Sequence, residues 1–195
     1  DNTFVGYRAG ATNRAGTQST IIGSHAGYSP AGATYSGSYN LFAGYGAGLY
    51  TGGDSVVALG AYAGYNTTGS FNTFVGSEAG KGGTTSAPYS SGQNNVAVGN
   101  QAMENFTTGF QNVAVGKNAL YADTTGQYNT AVGNGALFAN TTGQANIALG
   151  LDSLVSSQAT NDMVAIGFQA RHESNHADTA GNVAIGYTAL RMNVK

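Results

Sequence analysis

The stretch that decides the fold is NVAVGNQAMENFTTGFQNVAVGKNALYADTTGQYNTAVGNGALFANTTGQANIALG, residues 95–150, in which a short aliphatic run ending in glycine returns every 17 residues. Taking that glycine as an anchor and working outward, the same unit covers the chain: Gly6, Gly23, Gly44, Gly60, Gly76, Gly99, Gly116, Gly133, Gly150, Gly167 and Gly186. The anchors are 17, 21, 16, 16, 23, 17, 17, 17, 17 and 19 residues apart, a unit of about 17 with three longer exceptions. A fixed period in this range is the signature of a solenoid, whose repeats are each too small to bury an apolar face alone and therefore stack.

Aligned on the anchor, the residue before it is Val, Ile or Leu in every repeat but the one carrying Ala43, and the third residue before it is Thr, Val, Leu or Ile. Both lie on one face of an extended strand, because side chains alternate with a period of two. The third residue after the anchor is Ala in ten of eleven repeats, with Ser153 the exception, and a small residue so regularly placed marks tight packing. Seven residues before the anchor stands a second glycine: Gly16, Gly37, Gly53, Gly69, Gly92, Gly109, Gly126 and Gly143, replaced by Thr160 and Thr179. Its fixed register points to a turn with positive φ. Asn four before the anchor, in eight of eleven repeats from Asn2 to Asn182, is suited to close that turn or to stack into an amide ladder.

Two further positions trade bulk. Phe4, Ile21, Phe42 and Phe74, two before the anchor, share their repeats with Gly10, Gly27, Gly48 and Gly80, four after it. Where the first position shrinks to Ala97, Ala114, Ala131, Ala148 or Ala184, the second grows to Met103, Leu120, Leu137, Leu154 or Leu190. Close-packed interiors penalise both voids and overpacking, so the two positions are expected to face one space. Ala58 with Gly64 leaves a deficit for which Tyr65 is the expected filler, and Ala165 with Arg171 places a charge there.

Helix is excluded by the glycine content and the period-two pattern. Each unit reads as a strand, a glycine turn, a short second strand through the Ala, and a Thr-Thr-Gly turn. The expected fold is all-β: a parallel β-roll or β-helix solenoid of about eleven coils forming one repeat domain, 1–195. The long repeats gain their residues before the turn glycine, which places loop insertions near 29–36, 81–91 and 171–176, the first two containing Pro30 and Pro88. Such loops fall on a common face often used for binding. One coil encloses little core, so its surplus apolar face is expected to be buried by symmetric association, with three chains side by side or intertwined.

Composition narrows the function. With 7 Lys plus Arg and a net charge of −2 in 195 residues, no basic surface exists to neutralise a phosphate backbone, so nucleic acid is not an expected partner. The absence of Cys removes disulfides and Cys-based metal sites. No apolar run approaches the roughly 18 residues that span a bilayer, so membrane insertion is not expected, and a start at Asp1 inside a repeat reads as an excerpt of a longer fibre.

His172, Glu173, Ser174, Asn175 and His176 spell the HExxH of zinc peptidases, but that motif needs a helix and here falls in a loop between β-coils. Gly44, Gly46 and Gly48 resemble a phosphate-cradling loop without the following helix and read as turn glycines. His25 reads as solvated, and the sequons at Asn66, Asn105 and Asn140 recur because the turn recurs. Tyr28, Tyr35, Tyr39, Tyr45, Tyr50, Tyr62 and Tyr65 crowd the first third, suited to packing between coils or to stacking on sugars. No catalytic residues, metal or cofactor are expected.

The run NNVAVGNQA, QNVAVGKNAL, YNTAVGNGAL and ANIALG resembles the head repeats of trimeric autotransporter adhesins and is similar to NTAVG-type repeats of phage tail fibres, a likeness covering essentially the whole chain. The resemblance implies a homotrimeric, left-handed parallel β-solenoid serving as spacer or adhesive segment, on a virion tail fibre or a bacterial surface. The unit of about 17 residues, longer than the usual adhesin head unit, favours the tail fibre. The expected function is non-enzymatic host attachment, with a cell-surface glycan or protein receptor as partner. The adhesin head is the alternative, and an ice-binding solenoid, suggested by Thr67, Thr107, Thr124 and Thr141, comes after it.

Overall fold

Three residues of each repeat form strand, and the eleven strands lie in chain order in one parallel sheet, from Thr3–Val5 at one end to Val183–Ile185 at the other. The computed structural model describes residues 1–11, 16–29, 37–84, 89–172 and 181–190. The fold is a parallel β-solenoid without helix among these residues. It makes about nine turns, slightly fewer than the eleven coils that counting anchors suggests.

Register is kept across repeats of different length. Thr73 pairs with Val96 and Val75 with Val98, although 23 residues separate the two anchors. The extra residues therefore leave the ladder before the strand begins, as the sequence register implies. Pro30, Pro88 and most of the insertions at 29–36 and 171–176 lie outside the described residues.

Every strand after the first buries its middle residue, while Phe4 at the open end of the stack is 41 % exposed. Ile21, Phe42, Ala58, Phe74 and their equivalents through Ala184 are at most 2 % exposed, and they form one core with the column of Ala from Ala26 to Ala170. The anchor glycines have φ of 128–139°, and a Cβ on Gly6 would stand 2.6 Å from the carbonyl oxygen of Gly23 in the next coil. Backbone conformation and close stacking both require glycine there.

The second glycine has a different role from the turn expected of it. None of Gly37, Gly53, Gly69, Gly92, Gly109, Gly126 or Gly143 has positive φ. A Cβ on Gly109 would meet the carbonyl oxygen of Gly126 at 2.6 Å, so it is the approach of successive coils that excludes a side chain. Positive φ falls two residues later, on Gln18, Tyr39, Ser55, Phe71, Asn94, Gln111, Tyr128, Ala145 and Asp162, at 54–63°.

The short second strand expected through the Ala is absent. The second and fourth residues after the anchor have positive φ throughout, as at His25 (57°), Gln101 (58°) and Leu120 (51°), outside the range of a strand. Coils still bond along the axis there: His25 N–H donates to the Tyr7 carbonyl and Gly27 N–H to the Ala47 carbonyl, each at 2.8 Å.

The Asn column is a ladder built through the backbone more than from amide to amide. Asn112 Oδ1 accepts the N–H of Asn129 (2.9 Å), and Asn112 Nδ2 donates to the Gly126 carbonyl (2.8 Å). The same pair of bonds recurs at Asn40, Asn72, Asn95, Asn129 and Asn146, all nearly or fully buried. Ser19 supplies a hydroxyl in the same place, accepting the Asn40 N–H at 3.1 Å.

The exchange of bulk is physical contact. A Cβ on Gly10 would lie 2.9 Å from the Phe4 ring, on Gly27 2.7 Å from Ile21 Cδ1 and on Gly48 2.6 Å from the Phe42 ring. The deficit at Ala58 and Gly64 is filled by Phe74 of the next coil, 3.0 Å from a Cβ on Gly64, and not by Tyr65, which stands half-buried among other tyrosines. Arg171 is 3 % exposed, its stem occupying the place Leu holds elsewhere and its guanidinium 3.0 Å from Met163 Sδ.

One buried acid belongs to this core. Asp123 Oδ1 accepts from Asn140 Nδ2 (2.8 Å), while Oδ2 is buried without a hydrogen-bond partner. Burial pushes its carboxyl up to about 7, against the smaller opposing effect of the bonds from Asn140 and the Gly126 N–H. Because the folded chain holds this proton more tightly than the unfolded one, stability is greatest below the ordinary carboxylate range and falls as pH rises from about 4 to about 7. The full change is on the order of 4 kcal/mol. Asp123→Asn is expected to raise the melting temperature at pH 8 and to flatten its decline between pH 4 and 7, as thermal unfolding across that range will show. A profile unchanged by the substitution would contradict this.

Candidate interaction surface

With the middle residue of each strand turned inward, the two flanking residues face out. Along the sheet these are Val, Ile, Leu or Ala, with Thr3, Thr20, Thr73 and Thr130 the polar members and no charge. Val5, Ile22, Val183 and Ile185 are exposed, and the central pairs Val96–Val98 and Val113–Val115 are half-buried by their neighbours. Ten strand spacings of about 4.8 Å by three residues give a flat apolar strip of roughly 50 by 10 Å. That is about the largest apolar patch a monomer ordinarily leaves open.

Aromatics widen the strip at both margins. Tyr39, Phe71 and Tyr128 precede their strands by two residues and are 61 %, 58 % and 53 % exposed, although each holds positive φ. Tyr7, Tyr45, Phe168 and Tyr187 directly follow their anchors on the other margin, and all are exposed. The two margins differ in geometry, and each mixes these aromatics with polar residues, among them Asn94, Gln111 and Asp162 on the first and Ser77, Asn100 and Lys117 on the second.

Beyond the second margin the first coils carry a chain of rings. His25 meets Tyr7 (5.2 Å), Tyr28 (5.6 Å) and Tyr45 (6.0 Å) edge-to-face, so it is part of an aromatic cluster and not simply solvated. The contacts continue from Tyr45 to Tyr62, Tyr65, Tyr50 and Tyr89. Arg8 covers Tyr7 and Tyr28 at 5.3 and 5.5 Å. Burial and neighbouring tyrosines push the Tyr50 and Tyr65 hydroxyls above their ordinary value. The rings end at Lys81, which pairs with Glu78 (3.1 Å) and Glu104 (3.3 Å). Tyr35 lies outside the described residues.

The remaining motifs take the following places. Gly44, Gly46 and Gly48 are turn glycines packed against Gly60, Tyr62 and Phe42. Asn66 and Asn140 are buried and Asn105 donates to the Tyr121 carbonyl at 3.1 Å, so these sequons serve the coil. The hydroxyls of Thr107, Thr124 and Thr141 donate to carbonyls of the next coil at 2.8–2.9 Å. His172 is half-buried, while Glu173 to His176 lie outside the described residues. Among the described residues no group of three or more His, Cys, Asp or Glu could hold a metal ion, and no helix is long and apolar enough to cross a membrane. No family model, curated protein or solved structure matches the chain.

Proposed function

We propose that the chain is a non-enzymatic structural and adhesive segment of a homotrimeric extracellular fibre, a phage tail fibre in the first reading and a bacterial trimeric adhesin head in the second. The observation that carries this is the charge-free, largely aliphatic face of the sheet, running the length of the solenoid with exposed aromatics at intervals along both margins. A strip so narrow is covered by bringing copies together around an axis parallel to the coils. In a cyclic trimer each copy offers one margin to one neighbour and the other margin to the next, which suits two unlike margins. All axes then point the same way, as a fibre with distinct ends needs. The repeat length favours the tail fibre. The ice-binding reading loses support because the first hydroxyl of each Thr-Thr pair from Thr107 to Thr141 is committed to the neighbouring coil.

The double variant V113K/V115K tests the face. Both residues are outward and half-buried in the single chain, so lysine is accepted there but brings unpaired charge into the proposed interface. The expected result is loss of assembly with an unchanged β-type circular dichroism spectrum. Assembly that survives both charges would remove this face from the contact.

A further inference from the structure

A shallow cleft of about 340 Å³ opens where the 81–91 insertion rejoins the solenoid. It is lined by Ser91, Gln93, Asn94, Thr108, Phe110 and Gln111, with Gly92 in its floor. The floor is held by the backbone: the N–H groups of Ser91 and Gly92 both donate to the Thr107 carbonyl (2.7 and 3.1 Å), and Gln111 N–H donates to the Gln93 carbonyl (3.0 Å). Tyr128 braces the Phe110 ring edge-to-face at 5.3 Å.

The lining is chemically distinctive. It carries no charge, and its three amides and two hydroxyls make no side-chain hydrogen bond to another described residue. A rigid floor thus presents five uncommitted groups, each able to donate and to accept, beside one aromatic ring. Sugar hydroxyls also donate and accept, and the C–H face of a pyranose packs on an aromatic ring. An anionic ligand would find no cation in the lining, and the volume lies at the small end of ligand sites, about right for one or two sugar units. Related groups continue along the axis as Thr125, Gln127 and Tyr128, then Thr142 and Gln144, about 4.8 Å per coil, the direction in which a longer glycan would extend.

We propose that this cleft binds a neutral glycan, with one hexose unit seated on Phe110 and its hydroxyls bonded to Gln93, Asn94 and Gln111. This deepens the adhesive part of the proposed function and rests on the trimer leaving open the stretch of its margin where Asn94 and Gln111 stand in the column of Phe71 and Tyr128. The repeat itself supplies gentle substitutions: Gln127 stands at the register of Phe110, and Ala145, with φ of 54°, at that of Gln111. Saturation-transfer NMR of the intact chain with the methyl glycosides of glucose, galactose, mannose and N-acetylglucosamine is the test. At least one is expected to bind saturably, and F110Q and Q111A are each expected to weaken it about tenfold, the loss of one stacking or hydrogen-bonding contact, with unchanged melting temperature. Absence of saturable binding by all four, or equal binding by both variants, overturns the proposal. The assembly mass read on the same samples reports on the trimer separately.

Discussion

Gly48→Leu alone will destabilise the solenoid severely, and adding Phe42→Ala to it will return most of the loss. A Cβ at residue 48 stands 2.6 Å from the Phe42 ring, which is itself 2 % exposed and walled in by the coils on either side. Overpacking of this kind costs about 1–3 kcal/mol or more. Phe42→Ala alone opens a cavity, at about 3–5 kcal/mol. Together they reproduce the arrangement of later coils, where Ala114 stands with Leu120 and Ala131 with Leu137. The backbone already permits it: φ is 62° at Gly48 and 51–53° at Leu120, Leu137 and Leu154. Recovery will be incomplete because Phe42 also reaches Gly27, 3.2 Å from a Cβ there. A double-mutant cycle by urea unfolding should give a favourable coupling of up to about 3 kcal/mol. Additive losses would mean that the two positions do not share a space.

The second large effect is expected in the Asn ladder. Asn112→Ala removes the acceptor for the Asn129 N–H and the donor to the Gly126 carbonyl, both inside the coil stack. Leaving two buried backbone groups without partners costs about 2–6 kcal/mol. Asn112→Ser should cost distinctly less, because a serine hydroxyl already accepts the following N–H at Ser19. Equal losses in the two variants, again by urea unfolding, would show that the side chain acts through packing and not through the ladder.

Much of this was legible in the sequence because the repeat samples each position many times. Eleven aligned runs separate the inward middle residue from its outward neighbours, and the 23-residue interval before Gly99 still keeps Val96 opposite Thr73. What escaped is what residue size does not encode. Positive φ and close approach both select glycine, so Gly109 looks like a turn residue although coil-to-coil distance decides it. Conversely, positive φ at Tyr39, Ser55 and Phe71 left no glycine signature. There the N–H of each residue bonds to the preceding coil at 2.9 Å, which helps to offset a strain of about 1–2 kcal/mol.

The surface is less legible in the sequence than the core. An outward aliphatic face follows from alternation, and the early tyrosines are visible as a cluster, but not the ring contacts that draw His25 in. Asp123 falls among Thr-rich turns and looks solvated until the stack closes over it. The cleft beside Phe110 joins residues from two successive repeats, so no local pattern announces it.

The proposed function requires that the outward face of the sheet be covered by copies of the same chain around a three-fold axis. Native mass determination of the purified chain in solution, by sedimentation equilibrium over a range of concentrations, tests it most directly. The predicted result is a single species of three times the chain mass that persists on dilution. A well-folded monomer, leaving Val5, Ile22, Val183 and Ile185 in water, would contradict it.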